Sequence, residues 1–246
     1  MPAITDRAIV LRLSDYSETS QIATIFTRAH GLVRLIAKGV KRSTSKRVNV
    51  GLDLLEGGEI AFVPSKAAAM LGVLTEWRQL TTFSGLRTAL SRLYAGLYAA
   101  ELTSLLNEEY DPHAELFEEL EELLRDLDAQ QPVEPALASF QLALLGAIGY
   151  APMLEHCIIC GHTPRSEPVY FSARAGGVLC RDCEMHQIEK VRMDRRLVGR
   201  LAEGRSLTPE LSHALRDVLD YQISQILGRR PVVAASLEIA LRATGR

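Results

Sequence analysis

The chain has 246 residues, of which 47% are hydrophobic, and a formal net charge of −2. That size and apolar content suit one large domain or two smaller ones with a real core. They exclude a membrane-spanning helix, because no apolar run approaches the roughly 18 residues that a bilayer requires. The opening MPAITDRAIVLRL has an early acidic residue and no continuous apolar stretch, so it does not read as a signal peptide.

The charge is unevenly spread. Residues 1–80 carry 11 Lys/Arg and 7 Asp/Glu (+4), residues 81–150 carry 3 and 12 (−9), and residues 151–246 carry 14 and 11 (+3). A basic first third beside an acidic middle third points to different tasks for different parts of the chain.

Residues 1–80 read as five short strands. Ala8–Leu13 is the first, with Ile9, Leu11 and Leu13 alternating with Arg12. Gln21–Thr27 is the second, and the turn at His30-Gly31 leads into the third, Leu32–Ala37. The fourth lies within Leu52–Val63, where Gly57-Gly58 marks a bulge or bend. The fifth is Met70–Leu80. Five strands in this length fit a small barrel of the OB type, although an SH3-like barrel or a small sandwich gives a similar string.

A basic loop separates the third and fourth strands. From Thr19 to Leu52 there is no acidic residue, while Arg28, Arg34, Lys38, Lys41, Arg42, Lys46 and Arg47 are all basic. Such a loop can wrap a phosphate backbone and release its counterions. The plainer alternative is a solvated loop that keeps the protein soluble. Aromatic platforms for stacked bases are scarce. Phe26 and Phe62 sit in apolar strands and read as core, and only Tyr16 reads as exposed.

Residues 81–150 read as helices. One spans Ser84 to Asn107. A second opens at Asp111-Pro112, with Asp as N-cap and Pro at the first helical position. It buries Leu116, Phe117, Leu120, Leu123, Leu124 and Leu127 and turns its many acids outward as a solvated face. A third runs from about Pro135 to Ile148 and ends at Gly149. Beyond residue 190, Arg195–Glu203 is a short helix. Thr208-Pro209-Glu210 opens a long one that ends at Leu227-Gly228, and Pro231–Ala243 is the last. These faces are expected to pack on the helices of 81–150.

Between them lie all four cysteines of the chain, as Cys157-Ile-Ile-Cys160, a gap of 19 residues, and Cys180-Arg-Asp-Cys183. Two C-x2-C pairs at this spacing are a zinc signature. Two such turns face to face make a closed all-thiolate tetrahedron, which suits a structural Zn2+ and leaves no open position for catalysis. An iron–sulfur cluster also takes four thiolates. Two disulfides would need an oxidising compartment, and a redox-active motif needs only one pair. The segments Pro168–Ser172 and Gly176–Leu179 read as a zinc-ribbon hairpin surrounded by Arg165, Arg174 and Arg181. His156, His162 and His186 flank the site, and one of them replacing a cysteine is the minor alternative. No phosphate-binding glycine loop and no nucleophile–base set is present, so the chain does not read as an enzyme.

The fold class that follows is α+β. A five-stranded OB-like barrel (1–80) precedes a mainly helical domain (81–246) that carries an inserted four-cysteine zinc ribbon at about 153–190. The order of parts, with Gly39-Val40-Lys41-Arg42-Ser43 in the barrel and Gly149-Tyr150-Ala151-Pro152 ahead of the cysteines, resembles the bacterial RecO family over nearly the whole chain. The resemblance implies a cytoplasmic, nucleoid-associated, non-enzymatic protein of recombinational repair. Such a protein binds single- and double-stranded DNA and anneals complementary strands. With RecR it helps load RecA onto DNA coated by single-stranded-DNA-binding protein, whose acidic C-terminal tail it contacts. It also implies DNA contacts in the barrel, which map here as a region to Arg34, Lys38, Lys41, Arg42, Lys46 and Arg47. Some family members lack the cysteines, so one Zn2+ per chain on Cys157, Cys160, Cys180 and Cys183 is architectural. A zinc-ribbon adaptor that binds only protein, and a zinc enzyme with its site in the acidic helices, are the competing readings.

Overall fold

The computed structural model describes residues 3–38, 52–65 and 71–244. Packing divides them into two compact units. The first comprises residues 1–131 together with 233–246, and the second comprises residues 132–232. The sheet-to-helix transition near residue 80 therefore falls inside the first unit.

The first unit is built on a closed barrel of five strands, β1 (Ile4–Asp15), β2 (Gln21–Thr27), β3 (Gly31–Ala37), β4 (Gly57–Val63) and β5 (Gly72–Thr81), in the order β1-β2-β3-β5-β4. β1 pairs antiparallel with both β2 and β4, and β3 meets β5 in parallel. This is the OB-like barrel expected from the strand spacing. The register shifts at Gly57/Gly58, where the glycine pair suggested a bulge.

The inside of the barrel is filled by Ala8, Val10, Ala23, Ile25, Val33, Leu35, Ile60, Phe62, Leu74 and Trp77. Here the structure departs from the simple alternation of β1. The register slips between Val10 and Arg12. Ala8 and Val10 face inward before the slip, and Leu13 packs inward after it. Ile9, directly opposite Phe26, takes the outer side. The extra residue, Leu11, keeps Arg12 out of the barrel, where uninterrupted pleating would have pointed it inward.

The outer side is covered by helices. A 3-10 turn at Ser84–Thr88 precedes α1 (Leu90–Leu106), so the single helix expected over 84–107 is interrupted at Ala89, which is extended. α2 spans Ala114–Asp128, and its Phe117 ring lies 6.1 Å from that of Phe26. α2 starts later than Asp111-Pro112 suggested, with His113 at the N-cap. The preceding residues are used otherwise: the Tyr110 N–H donates to the Leu32 carbonyl at 2.9 Å, and Glu109 bridges to Leu32. This segment occupies the part of β3 that β5 leaves unpaired. The acids of α2 are not all solvated. Glu118 pairs with Arg28 at 2.6 Å and with Arg7 at 3.4 Å, and Glu121 pairs with Arg7 and Arg125. Helix α6 (Ala234–Thr244) returns to pack on α1.

The second unit holds α3 (Val133–Ala147), α4 (Arg195–Ala202) and α5 (Pro209–Leu227) with a four-stranded sheet, β6 (Met153–Cys157), β7 (Val169–Ser172), β8 (Gly177–Leu179) and β9 (Val191–Met193), ordered β6-β8-β7-β9. α5 begins and ends as its sequence signals dictate. Thr208 accepts from the Leu211 N–H, Pro209 opens the first turn, and Gly228 closes the helix at φ 66°. α3 and α5 are joined by a buried ionic network. Arg216, 2% exposed, donates to Glu134 at 2.5 Å and to Asp220 at 2.7 Å, and Gln141 donates to Asp220 at 2.6 Å. The helices after residue 81 thus fall into two groups, α1, α2 and α6 in one unit and α3, α4 and α5 in the other. Among the described residues no helix is long and apolar enough to cross a membrane.

Two substitutions test these packings. Gly31 has φ 68°, and a Cβ there would stand 2.0 Å from the Asp111 carbonyl oxygen. Gly31→Ala should cost about 2 kcal/mol or more, combining left-handed strain with the clash. Urea denaturation followed by the emission of Trp77, the single tryptophan and a barrel-core residue, should show the lowered midpoint. Arg216→Ala leaves Glu134 and Asp220 without their buried cation and should cost about 3–5 kcal/mol. Hydrogen exchange should then accelerate in α3 and α5.

Candidate functional site

The four cysteines converge because of strand direction. β6 ends at Cys157 and β8 ends just before Cys180, and the two strands are parallel neighbours paired through Cys157 and Val178. Parallel neighbours leave a sheet at the same end, so the turn after each strand delivers its C-x2-C pair to one place. The first turn is closed by Gly161 N–H to the Cys157 carbonyl (2.8 Å), with Gly161 at φ 73°. The second is closed by Cys183 N–H to the Cys180 carbonyl (3.0 Å).

All four Sγ atoms lie within 4.8 Å of one another, and all four thiols are free of disulfides. Cys160 and Cys180 are 3.8 Å apart. A tetrahedral thiolate site with metal–sulfur bonds of 2.3 Å has edges of about 3.8 Å, so the set has the size to hold a metal ion. Cys157 and Cys183 are buried, and Cys160 is exposed. Burial opposes ionisation of Cys157, but the backbone N–H groups of Cys160, Cys180 and Ile159 outweigh it and bring its pKa down to about 7. Histidine takes no part in the cluster among the described residues. Nδ1 of His156 instead lies 2.9 Å from the Thr163 hydroxyl.

The ribbon is fixed to its own helices by Glu189. This carboxylate accepts from the Ser172 hydroxyl (2.9 Å), the Arg174 N–H (3.0 Å) and the Tyr221 hydroxyl of α5. Partial burial works against its charge, yet these donors hold it below the usual carboxylate range. Burial and the same carboxylate push the Tyr221 phenol up to about 12. Arg165, Arg174 and Arg181 are exposed around the ribbon.

The basic residues singled out in the first third are placed unequally. Arg34 is on the outer side of β3 and Lys38 directly follows that strand, both exposed. Lys41, Arg42, Lys46 and Arg47 lie outside the described residues. Arg28, part of the same acid-free stretch, is held by Glu118. Sequence reasoning missed Arg12. It stands exposed in register with Thr24, which is in register with Arg34. The alternation of Arg12 with Ile9, Leu11 and Leu13 already turned it outward, but it lies before the acid-free stretch from which the basic residues were drawn.

Comparison with known proteins matches the N-terminal domain of recombination protein O over residues 1–83 and its C-terminal domain over residues 87–234. The chain belongs to the RecO family. Among its RecO relatives are DNA repair protein RecO of Rhodopirellula baltica, 36% identical over 182 residues (73% of this chain and 67% of the relative), and of Myxococcus xanthus, 31% identical over 235 residues (94% and 95%). The Bacillus subtilis RecO is 33% identical over 177 residues (71% and 66%). The first family match covers the barrel, and the second includes the cysteine clasp.

A direct check of the clasp is titration of the reduced apoprotein with Co2+. Visible thiolate charge-transfer and tetrahedral d–d bands should saturate at about one ion per chain, and Cys157→Ser or Cys180→Ser should abolish them. Because the ligands bind as thiolates, apparent affinity should rise with pH and fall as protons compete below neutrality.

Proposed function

We propose that this chain is a DNA-binding mediator of recombinational repair, with the barrel as its principal nucleic-acid surface. The observation that carries this reading is the match to both RecO domains in order, over residues 1–83 and 87–234. In this reading it binds single- and double-stranded DNA and promotes annealing of complementary strands. With RecR it helps RecA assemble on DNA coated by single-stranded-DNA-binding protein, whose acidic C-terminal tail it contacts, and it works in the cytoplasm at the nucleoid. Arg34, Lys38, Lys41, Arg42, Lys46 and Arg47 are its proposed DNA contacts.

The physical basis is electrostatic. Two DNA strands repel each other through their phosphates. A surface that neutralises part of this charge releases counterions and lowers the cost of bringing the strands together. No bond in the DNA has to be broken, so annealing needs no catalytic residue. Exposed Arg34 and Lys38 support a cationic edge on the barrel, while Glu118 and Glu121 neutralise Arg7 and Arg28 on the side covered by α2.

The metal in this reading is one structural Zn2+ on Cys157, Cys160, Cys180 and Cys183. Four thiolates complete a tetrahedron and leave no position for substrate, so its contribution is to hold the ribbon together. A second reading, a ribbon that serves as a protein adaptor without DNA binding, is favoured by one feature. Ile159, Met185 and Ile188, in or next to the cysteine turns, are all exposed apolar side chains.

Fluorescence anisotropy of a labelled single-stranded oligonucleotide over a salt series separates the two readings. Binding should weaken steeply with salt, by about 0.7 log units per phosphate contact for each log unit of salt. Changing Lys41, Arg42, Lys46 and Arg47 together to Ala should lower affinity and flatten that slope. A wild-type protein without salt-sensitive DNA affinity would leave the adaptor reading in its place.

A further inference from the structure

Arg12, Thr24 and Arg34 form one row across the outer face of β1, β2 and β3. With strands about 4.8 Å apart, the two arginine backbones stand about 10 Å from each other with a threonine hydroxyl between them. The row lines a groove of about 330 Å3, which it shares with Ser14, Asn107 and Glu109. Thr24 and Asn107 are buried. Two forked guanidinium groups and neutral hydroxyls are the donor set that a phosphate diester accepts from.

The two arginines are not equally available. Arg12 makes no ion pair among the described residues. Arg34 does, with its Nη1 3.6 Å from Oε1 of Glu109. Glu109 is brought there by the backbone, through the bridge to Leu32 and the Tyr110–Leu32 hydrogen bond that seat this segment on the edge of β3. The pair is loose, and its side chains are 51% and 39% exposed. Such a pair contributes little to stability, so an incoming anion can displace it.

We propose that Glu109 is a built-in competitor for the phosphate of single-stranded DNA in this groove, and that it sets the protein's DNA affinity and salt sensitivity. The proposal rests on the reading of the barrel as a DNA-binding surface. A phosphate entering the row must exchange the Glu109 carboxylate for itself on Arg34, while Arg12 takes it without competition. The carboxylate therefore raises the threshold for binding without closing the groove. It favours a continuous phosphate backbone, which can hold Arg12 while it competes for Arg34, over an isolated anion.

The test is anisotropy of a labelled oligothymidylate with wild type, Glu109→Gln and Glu108→Gln. Glu108 is the neighbouring acid, exposed and outside the groove. Glu109→Gln should bind about two- to five-fold tighter at low salt, the worth of a displaced surface ion pair, and the gain should shrink as salt screens it. In an Arg34→Ala background the gain should fall to that of Glu108→Gln. Arg12→Ala should weaken binding several-fold and flatten the salt slope by about 0.7. Unchanged Trp77 emission verifies the barrel in each variant. If wild type binds DNA and Glu109→Gln gains no more than Glu108→Gln, the competitor role is overturned while the DNA-binding reading stands. If Arg12→Ala binds like wild type, the groove itself is overturned. If wild type binds no DNA, the functional reading fails and the competitor role fails with it.

Discussion

The barrel depends on one strand serving two partners. β1 pairs with β4 through its first half, Ile4 to Ile9, and with β2 from Ala8 to Asp15. A straight strand cannot do both and close a five-stranded cylinder. The extra residue between Val10 and Arg12 supplies the bend and the added twist. The slip also changes which side chains face the core. Before it, Val10 faces inward and Ile9 packs outward opposite Phe26. After it, Leu13 faces inward and Arg12 faces out. Closing the barrel and placing a cation on its outer face are therefore one event, and the row from Arg12 through Thr24 to Arg34 exists because of it.

Much of this architecture was legible because local signals agreed with it. The β-branched run Gln21–Thr27 is β2 without adjustment, and Thr208, Pro209 and Gly228 mark the two ends of α5. The cysteine turns were legible from spacing alone, since two C-x2-C pairs restrict what a chain can do. Effects of long separation in sequence were not legible. Glu118 and Glu121 looked like members of a solvated acidic face, but Arg7 and Arg28, roughly ninety or more positions earlier, had claimed them. Pro112 looked like the first residue of a helix. Tertiary pairing of Glu109 and Tyr110 with Leu32 delays the helix to Ala114. The strands β6 and β9 are too short, at 5 and 3 residues, to carry a period of two, and they exist because neighbours complete their hydrogen bonds.

The clasp and the groove illustrate two ways of positioning polar groups. In the clasp, parallel pairing of β6 and β8 fixes where the turns emerge, and backbone N–H groups around Cys157 favour its thiolate form. Four thiolates this close would repel one another, and a divalent cation held there would remove that repulsion while tying two turns together. In the groove two arginines share one face, and a carboxylate of the same chain pairs with one of them.

The division of the chain also constrains the order in which the protein can be made. The first unit is interrupted after Gln131 and resumes at Val233, where α6 returns to α1. On a ribosome, α1 emerges without this partner and waits while the whole of residues 132–232 is synthesised. At about 5–20 residues per second that interval is on the order of 5–20 s. During it the second unit, continuous in sequence, can collapse and bring its four cysteines together, while the face of α1 that receives α6 stays uncovered. The part of the molecule that begins first is thus completed last, and in the interval the nascent chain must keep an apolar helix face out of unwanted association.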